Sequence, residues 1–396
     1  MSLPLRAAFV PLLDAAPLIV AREMGFAAEE GLALELVAAP SWSALRDLLA
    51  FGKVEAAHML APLPVAMALG LGGIATATSA LMVTSLNGTV IGLGTRLADR
   101  LGAAGHPFDF RDAHAAGTAL ITASRPEGLR IGVPFPFSMH AQLIHYWLSA
   151  CGLPPGPDIQ IRTVPPPMMA EALADGDIDA FCVGEPWGSR AVETGAGALL
   201  LPGRAIWSAA PEKVLAVRSA FAAEDPERTG RLMRALYKAC RWLAQPASRT
   251  AAAEILARRA YLDLPPDIID RALTGQFIIN PRGDGRTAPG FVSFFEGAAT
   301  FPWRSQAAWI ASQLARQHAL NAPEALNASR AVFRPDLYRS HLASLGAIMP
   351  GASEKVEGGI AADAPAASQT GRLFLPENQF FDGRTFDPRP NPPITD

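Results

Sequence analysis

The amino-acid sequence predicts an α/β protein made of two lobes, each built on a mostly parallel β-sheet. Its 396 residues exceed what one ordinary hydrophobic core holds. Half of them are hydrophobic and only 18% are charged, which leaves enough apolar side chain for two cores. Short apolar runs alternate with amphipathic helical patterns, and the alternation recurs in the same order in two parts of the chain. Such alternation is typical of open α/β sheets.

An internal repeat supports the two lobes. Gly52-Lys-Val-Glu-Ala-Ala57 and Gly176-Asp-Ile-Asp-Ala-Phe181 are similar, and in each copy a proline follows the glycine by ten positions. The two copies are 124 residues apart, and the same offset relates Leu5-Arg6 to Leu129-Arg130. Matches at one offset and in one order indicate a duplicated structural unit.

Each copy of the repeat predicts the order strand, helix, strand, helix, strand. The first copy comprises strands at 5–10, 33–37 and 55–59, with helices at 16–24 and 43–51. The second comprises strands at 129–133, 159–164 and 179–183, with helices at 138–151 and 167–175. Right-handed crossovers bring the loops after parallel strands to one edge of a sheet, where ligands bind. Two such units that face each other therefore predict a cleft lined by matching loops.

The remaining segments assign the rest of the chain to the lobes. Residues 82–93 predict a strand that leaves the first lobe, and residues 213–217 predict an apolar strand that returns to it. The hinge between the lobes is therefore expected near 85–88 and 213–217. The predicted first lobe comprises residues 1–86 and 217–348, and the predicted second lobe comprises residues 87–216.

The end of the chain, residues 349–396, has a different composition. Residues 349–370 are rich in Gly, Ala, Pro and Ser, which is typical of a flexible segment. Residues 371–396 contain four phenylalanines. Because phenylalanine is mostly buried in folded proteins, we expect this tail to pack on the body.

Composition argues against several functions. A formal net charge of −3 gives no basic face, so we expect no direct binding of nucleic acid. No apolar run reaches the roughly 18 residues that cross a bilayer, so we expect no membrane insertion. Among the seven histidines no two are four positions apart, and neither a metal nor another cofactor is predicted.

The N-terminus and the cysteines bear on the compartment. The apolar run after Met1 is interrupted by Pro11 and Asp14 and is shorter than the core of an export signal. Three widely spaced cysteines fit a reducing compartment better than a framework of disulfides. We therefore expect a cytoplasmic protein. A leader removed ahead of Met1 would make it periplasmic instead.

Five phrases resemble the nitrate and bicarbonate receptor family of ABC importers, over about residues 3 to 315. They are Asp14-Ala-Ala-Pro-Leu-Ile19, Ser41-Trp42 with Arg46-Asp47, Val164-Pro-Pro-Pro-Met168, Asp179-Ala-Phe-Cys-Val-Gly-Glu-Pro-Trp187 and Pro211-Glu-Lys213. The resemblance implies a type II periplasmic-binding fold, in which two α/β lobes are joined by two strands. It also implies that a small oxyanion is held in the cleft and that the protein is not an enzyme.

Within that family the sequence is most similar to a cytoplasmic branch. That branch resembles a nitrate/nitrite sensor, which holds an RNA-binding antiterminator until the anion binds. The resemblance therefore implies nitrate or nitrite as the ligand and an antiterminator-type regulator as the partner. The alternative is an exported nitrate-binding receptor that has lost its leader and whose partner is an ABC importer.

Planar nitrate has acceptor oxygens and no donor, so its pocket must supply donors. His140 follows Ser138, a candidate N-cap, and lies one turn before the apolar stripe of the predicted helix at 138–151. It is therefore expected to point inward, beside free backbone N–H groups. Trp42, with a donor-only indole N–H, lies at a junction between a loop and a helix.

Four positions match the ligand positions of the family: Trp42, Thr89, His140 and Lys213. The bicarbonate receptors carry an acidic residue and a calcium ion where this chain has Lys213, so the resemblance favours nitrate or nitrite and requires no metal. The exported nitrate receptors carry Gln where this chain has Thr89, which leaves the anion preference open. Glu185, before Pro186, is interpreted as a structural carboxylate at the start of a helix.

An enzyme is the competing class of function. The sequence contains no G-x-S-x-G elbow, P-loop or dinucleotide fingerprint, and the glycines from Gly70 to Gly73 form too short a loop to hold a phosphate. Cys182 follows a predicted strand, where a nucleophile is often found, and His140 lies in the facing loop. A buried cysteine at a strand end is the commoner arrangement, so no catalytic residue is predicted.

Overall fold

Two β-sheets form the cores of the two lobes. The computed structural model describes residues 3–125 and 127–389. Its strands are β1 (Leu3–Phe9), β2 (Leu32–Ala38), β3 (Ala56–Leu60), β4 (Thr78–Asn87), β5 (Thr89–Gly94), β6 (Leu129–Val133), β7 (Ile159–Thr163), β8 (Ala180–Gly184), β9 (Gly197–Pro202), β10 (Pro211–Arg218), β11 (Gln276–Ile278), β12 (Gly285–Thr287), β13 (Val292–Ser293), β14 (Ala364–Ala366) and β15 (Leu373–Leu375).

Helices cover the faces of both sheets. They are α1 (Ala16–Glu23), α2 (Phe26–Glu29), α3 (Trp42–Ala50), α4 (Pro62–Ala68), α5 (Thr95–Ala103), α6 (Ala113–Ser124), α7 (Met139–Ala150), α8 (Met169–Ala174), α9 (Trp187–Glu193), α10 (Ser219–Glu224), α11 (Pro226–Leu243), α12 (Arg249–Ala257), α13 (Pro266–Thr274), α14 (Arg304–Gln317), α15 (Ala322–Ser329) and α16 (Pro335–Leu342). Two of them begin at serine caps: the hydroxyls of Ser41 and Ser138 accept hydrogen bonds from the backbone N–H groups three residues later.

The two sheets have related strand orders, which confirms the two-lobed α/β prediction. The first sheet has the order β13-β4-β10-β3-β1-β2, and the second has β7-β6-β8-β5-β9. In each, the three strands of the repeat are parallel, whereas β10 and β5 run antiparallel to their neighbours. The prediction of mostly parallel sheets is thus wrong outside the repeat, because an apolar run does not specify the direction of a strand.

Two crossings of the chain join the sheet of the first lobe to the sheet of the second. The first crossing is Gly88, which separates β4 from β5 with φ at +96°, a conformation that favours glycine. The second lies between the end of β9 at Pro202 and the start of β10 at Pro211. The hinge predicted at 213–217 is therefore misplaced, since Lys213 already pairs with Leu60 inside the first sheet. The predicted boundary at 216 falls within the same strand.

A segment after α13 completes the second lobe. Phe277 and Phe291 pack with Phe181 and other core residues of that lobe. The backbone N–H of Leu199 also donates to the carbonyl of Ile279 at 2.7 Å. The predicted assignment of all residues 217–348 to the first lobe missed this return, because strands of two or three residues carry too little periodicity to be found.

The end of the chain contacts both lobes. Near its start, Ser305 on α14 donates to Glu357 at 2.6 Å. Further along, Tyr146 of the second lobe donates to Asp382 at 2.8 Å. Phe380 packs against aromatic side chains at the lobe junction, including Trp207 at a ring separation of 4.8 Å. Residues 349–370, predicted to be flexible, include a strand pairing and hydrogen bonds to the first lobe. Residues 390–396 of the predicted tail lie outside the described residues.

Candidate functional site

Three of the four predicted ligand residues meet where the lobes face each other. Lys213 is the third residue of β10, Trp42 begins α3, and both belong to the first lobe. His140 is the second residue of α7 in the other lobe. All three are at most 1% exposed. The Lys213 ammonium lies 5.4 Å from the centre of the Trp42 ring, close enough for a cation–π contact.

Thr89 lies at the edge of this group. It begins β5, immediately after the first crossing, and pairs with Gly184 on β8. Its hydroxyl is buried beside Gly203 and the thiol of Cys182. Within the described residues, Lys213 hydrogen-bonds to two carboxylates and not to Thr89.

Two buried carboxylates hold the lysine, and neither was predicted from the sequence as a site residue. The Nζ atom of Lys213 lies 2.6 Å from Oδ2 of Asp14 and 2.7 Å from Oε1 of Glu212. Neither carboxylate is more than 2% exposed. A buried ammonium needs a counter-charge, so the prediction of Lys213 as a ligand residue in the cleft could have indicated acidic partners. Asp14 and Glu212 both stand in the phrases that carry the family resemblance.

Two imidazoles flank the carboxylates. Nε2 of His58, on β3, lies 3.2 Å from Oδ1 of Asp14. Nδ1 of His140 lies 3.4 Å from Oε1 of Glu212. Burial lowers the pKa of both histidines, and the nearby Lys213 ammonium lowers it further, so both rings are neutral at neutral pH. His58 was not predicted as a site residue, because the strand at 55–59 was interpreted only as part of the hydrophobic core.

The charges in this cluster are set by burial and by mutual attraction. Burial opposes ionisation of Lys213, but the two carboxylates outweigh it and raise the pKa of the ammonium. Burial also opposes ionisation of Asp14, but Lys213 and His58 outweigh it and lower the pKa of that carboxyl. For Glu212 the balance reverses: burial raises its pKa to about 7, although Lys213 acts in the opposite direction. Glu212 is therefore the group that titrates near neutral pH.

Several polar atoms around the ammonium have no hydrogen-bond partner. Among the described residues, these buried atoms include Nε1 of Trp42, both ring nitrogens of His58 and of His140, Oδ1 of Asp14 and Oε2 of Glu212. An unsatisfied buried donor costs about 1–3 kcal/mol, so such a set is rare unless it serves a ligand. The Trp42 indole and one N–H of each neutral imidazole are donors, and donors around a cation fit a small anion whose oxygens accept hydrogen bonds.

The lobes are closed over the cluster. The backbone N–H of Leu13 donates to the carbonyl of Glu185 at 2.9 Å, and the indole N–H of Trp187 donates to the carbonyl of Pro11 at 3.0 Å. The amides of Gln142 and Gln317 form a reciprocal pair across the junction. These contacts remove the cluster from solvent and strengthen every charge interaction within it.

A separate cavity of about 620 Å³ lies on the second lobe and is open to solvent. It is lined by three arginines, Arg111, Arg271 and Arg286. Arg271 already pairs with two carboxylates, and Arg286 donates to backbone carbonyls. None of its described lining residues carries an unpartnered buried polar atom. The cluster at the lobe junction is therefore the stronger candidate site.

The cysteine considered for the competing enzyme function is unsuited to catalysis, and Glu185 has the structural position predicted for it. Burial and the nearby Glu212 raise the pKa of Cys182, whereas a nucleophilic cysteine needs a lowered pKa. Glu185 lies at the start of α9, where its oxygens accept from the backbone N–H of Ser189 at 3.2 Å. Burial raises the pKa of Glu185 to about 7.

Two kinds of feature are absent from the described residues. None of the described helices combines the length and the apolarity that a membrane span requires. The same residues contain no group of three or more His, Cys, Asp or Glu side chains arranged to hold a metal ion.

Comparison with known proteins decides the family. The model of the NMT1-like family matches residues 2–257. The chain belongs to the NMT1-like family. The nitrate/nitrite binding protein NrtA of Synechococcus elongatus is 30% identical to this NMT1-like chain over 389 residues, which is 96% of this chain and 82% of that protein. The crystal structure of the periplasmic nitrate-binding protein NrtA from Synechocystis PCC 6803 superposes with a TM-score of 0.84 at 27% identity, over 98% of this chain and 96% of that one.

Other relatives are longer than the NMT1-like chain. The nitrate import ATP-binding protein NrtC of Synechocystis is 33% identical over 346 residues, covering 85% of this chain and 50% of that protein. The chain thus spans about half the length of these import proteins. The relatives that match nearly the whole chain are named as binding proteins. The chain accordingly has the periplasmic-binding fold that was predicted.

Proposed function

We propose that the NMT1-like chain binds nitrate or nitrite at the junction of its two lobes. The observation that carries the proposal is the set of buried donors without partners around Lys213, namely those of Trp42, His58 and His140. Similarity to proteins named as nitrate binding supports it. An anion bound here would satisfy donors from both lobes at once and would stabilise their closed arrangement.

Bicarbonate is the competing anion. The bicarbonate transport ATP-binding protein CmpC of Synechococcus elongatus is 34% identical over 310 residues, covering 78% of this chain and 44% of that protein. One observation favours nitrate or nitrite: position 213 carries an ammonium, so the site supplies its own cation without a bridging metal ion.

Nitrate and nitrite are expected to raise the melting temperature of the purified protein. A ligand present at about 100 times its Kd adds roughly 2.7 kcal/mol to the free energy of unfolding. Thermal melting and calorimetric titration measure this, with bicarbonate and with calcium chelation as parallel arms. Chelation should change nothing. Unchanged melting curves and no heat with millimolar nitrate and nitrite would show that the anion assignment is wrong.

We propose further that a protein partner in the cytoplasm distinguishes the closed form from the open form. Two lobes joined at Gly88 and at 203–210 form a two-state element that an anion can bias by a few kcal/mol. The partner class, an antiterminator-type RNA-binding regulator, rests on the family resemblance. Similarity to import proteins named as ATP-binding also favours the cytoplasm, because ATP is held inside the cell. The alternative is a receptor that delivers its anion to an ABC importer.

A sensor and a transport receptor would use the same site residues. The two roles differ in the compartment and in the partner of the protein in the cell. In the sensor role, native protein from cytosol grown without nitrate is expected to travel with a regulator, and added nitrate to dissociate the complex. Fractionation followed by mass spectrometry of the co-purifying chains measures both. Recovery from the periplasm alone, with a processed N-terminus, would instead establish the transport role.

A further inference from the structure

The buried cluster at the lobe junction has no positive charge to spare for an anion. It contains one ammonium, Lys213, which already contacts the carboxylates of Asp14 and Glu212 at 2.6 and 2.7 Å. Its two histidines are neutral at neutral pH. With both carboxylates ionised the cluster carries one net negative charge. A bound monovalent anion would raise the net charge of the cluster to two negative charges, in a site from which water is excluded.

Two negative charges at such a site are strongly unfavourable. Burial of an unpaired charge costs several kcal/mol, and like charges at close range add to that. The simplest remedy is a proton from the solvent, which neutralises one carboxylate and restores the charge that the empty cluster carries. We propose that the anion enters this site together with one proton, which Glu212 takes up. The inference rests on the proposed function, because it requires that an anion binds here.

Geometry selects Glu212 rather than Asp14 as the carrier. Asp14 has two polar neighbours: Lys213 donates to its Oδ2, and Nε2 of His58 lies 3.2 Å from its Oδ1, although those two atoms form no hydrogen bond. Glu212 directs only Oε1 to Lys213, while its Oε2 is buried with no partner in the described residues. A charged Oε2 would repel the bound anion, whereas a protonated Oε2 is a donor that an oxygen of the anion can accept from.

Among the described residues that face this cluster, no other acid changes its charge near neutral pH. The titratable groups that face the cluster come from every element packed around it and are Asp14 before α1, His58 on β3, His140 on α7, Cys182 on β8 and Lys213 on β10 itself. Asp14 has a lowered pKa, and the thiol of Cys182 has a raised one, so neither changes charge near neutral pH.

The sign of the pH dependence follows from linkage. The pKa of Glu212 is about 7 in the closed structure, and a bound anion raises it further. Below pH 7 the carboxyl is already protonated, so affinity should be nearly independent of pH. Above pH 7 the anion must bring a proton, and Kd should rise about tenfold for each pH unit until the pKa of the bound state is passed.

Isothermal titration with nitrate tests the proposal. At pH 8, titrations in HEPES and in Tris, which differ in ionisation enthalpy, should report uptake of about one proton for each anion bound. Kd should rise about tenfold between pH 7.5 and 8.5. For Glu212→Gln, which cannot be protonated in this range, both the proton uptake and the pH dependence should disappear. An infrared difference spectrum of the wild-type protein should gain the carbonyl band of a protonated carboxylic acid when nitrate is added.

A matched control separates Glu212 from other buried acids. Glu185 is also fully buried with a pKa of about 7, but its oxygens face the start of α9 and not Lys213. Glu185→Gln should therefore keep the proton uptake. Binding of nitrate with the same Kd from pH 6.5 to 8.5 and without proton uptake overturns this inference alone. Proton uptake that persists in Glu212→Gln overturns the assignment to Glu212, and no binding at any pH overturns the proposed function with it.

Discussion

Replacing Lys213 with alanine is expected to weaken nitrate binding about a hundredfold or more and to destabilise the protein by about 3–5 kcal/mol. The ammonium is the common partner of Asp14 and Glu212, at 2.6 and 2.7 Å, and all three side chains are buried. Without it, two buried carboxylates face each other with no counter-charge, and an incoming anion meets only repulsion. Calorimetry with nitrate and urea unfolding measure the two effects.

The pH dependence of the Lys213→Ala protein provides a further check. Without the ammonium, both carboxyls have higher pKa values in the folded than in the unfolded state, so the folded protein binds more protons. Its free energy of unfolding should therefore fall as pH rises from 5 to 8. A Lys213→Ala protein that binds nitrate within about threefold of wild type would place Lys213 outside the site.

Arg130→Ala is a suitable control for the Lys213 variant. Arg130 pairs with Asp179 at 2.7 Å inside the second lobe, away from the lobe junction. Loss of this pair should lower the free energy of unfolding by about 1 kcal/mol, since both side chains are partly exposed. Nitrate affinity should not change. The comparison thus separates loss of an ion pair in general from loss of this particular cation.

Local patterns explain why the two lobes could be predicted. The three strands and two helices of each repeat are short, contiguous and periodic, and Ser41 and Ser138 provide caps that can be recognised without tertiary information. The crossing at Gly88 was within the predicted hinge. The second crossing was misplaced because 211–218 is a single apolar strand, and its pairing partners on β3 and β4 are remote in sequence.

Remote pairings also explain what the site prediction lacked. Lys213 and Asp14 are separated by 199 positions, and no local pattern indicates that they touch. His58 lies within an apolar strand, where period and composition predict core packing. The sequence therefore supplied a cation and two donors, but not the two carboxylates that neutralise the cation. This difference changes the chemistry, because a free lysine needs no proton to hold an anion, whereas this neutralised one does.

The closed arrangement itself depends on the absence of a side chain at position 184. Gly184 ends β8 in the second lobe and faces the first lobe. A Cβ atom there would lie 3.0 Å from Cδ2 of Leu12, 3.7 Å from Oδ2 of Asp14 and 3.8 Å from Nε2 of His140. The first contact is tighter than nearly all contacts that Cβ atoms make in proteins. Since Leu12 and Asp14 belong to the other lobe, the conflict arises only when the lobes close.

Gly184→Val is therefore expected to fold and to remain open. A valine is compatible with the extended backbone of β8, and in an open protein its methyl groups meet water instead of Leu12. If the substitution reduces the closed population to about 1%, the apparent affinity for nitrate falls about a hundredfold, because affinity scales with the fraction able to bind. Small-angle X-ray scattering should show that nitrate compacts the wild-type protein but not the variant.

Gly94→Ala tests whether loss of any strand glycine has the same effect. Gly94 lies at the far end of β5, and a Cβ there would meet Leu173 and Asp179 of its own lobe at 3.4 and 3.5 Å, which are ordinary contacts. Its nitrate affinity and scattering should match those of the wild-type protein. If Gly184→Val binds nitrate as tightly as this control and compacts with it, lobe closure over Lys213 is not required for binding. The anion would then have to reach the ammonium in an open cleft, where water screens the carboxylates. Uptake of a proton by Glu212 would then not be required for binding.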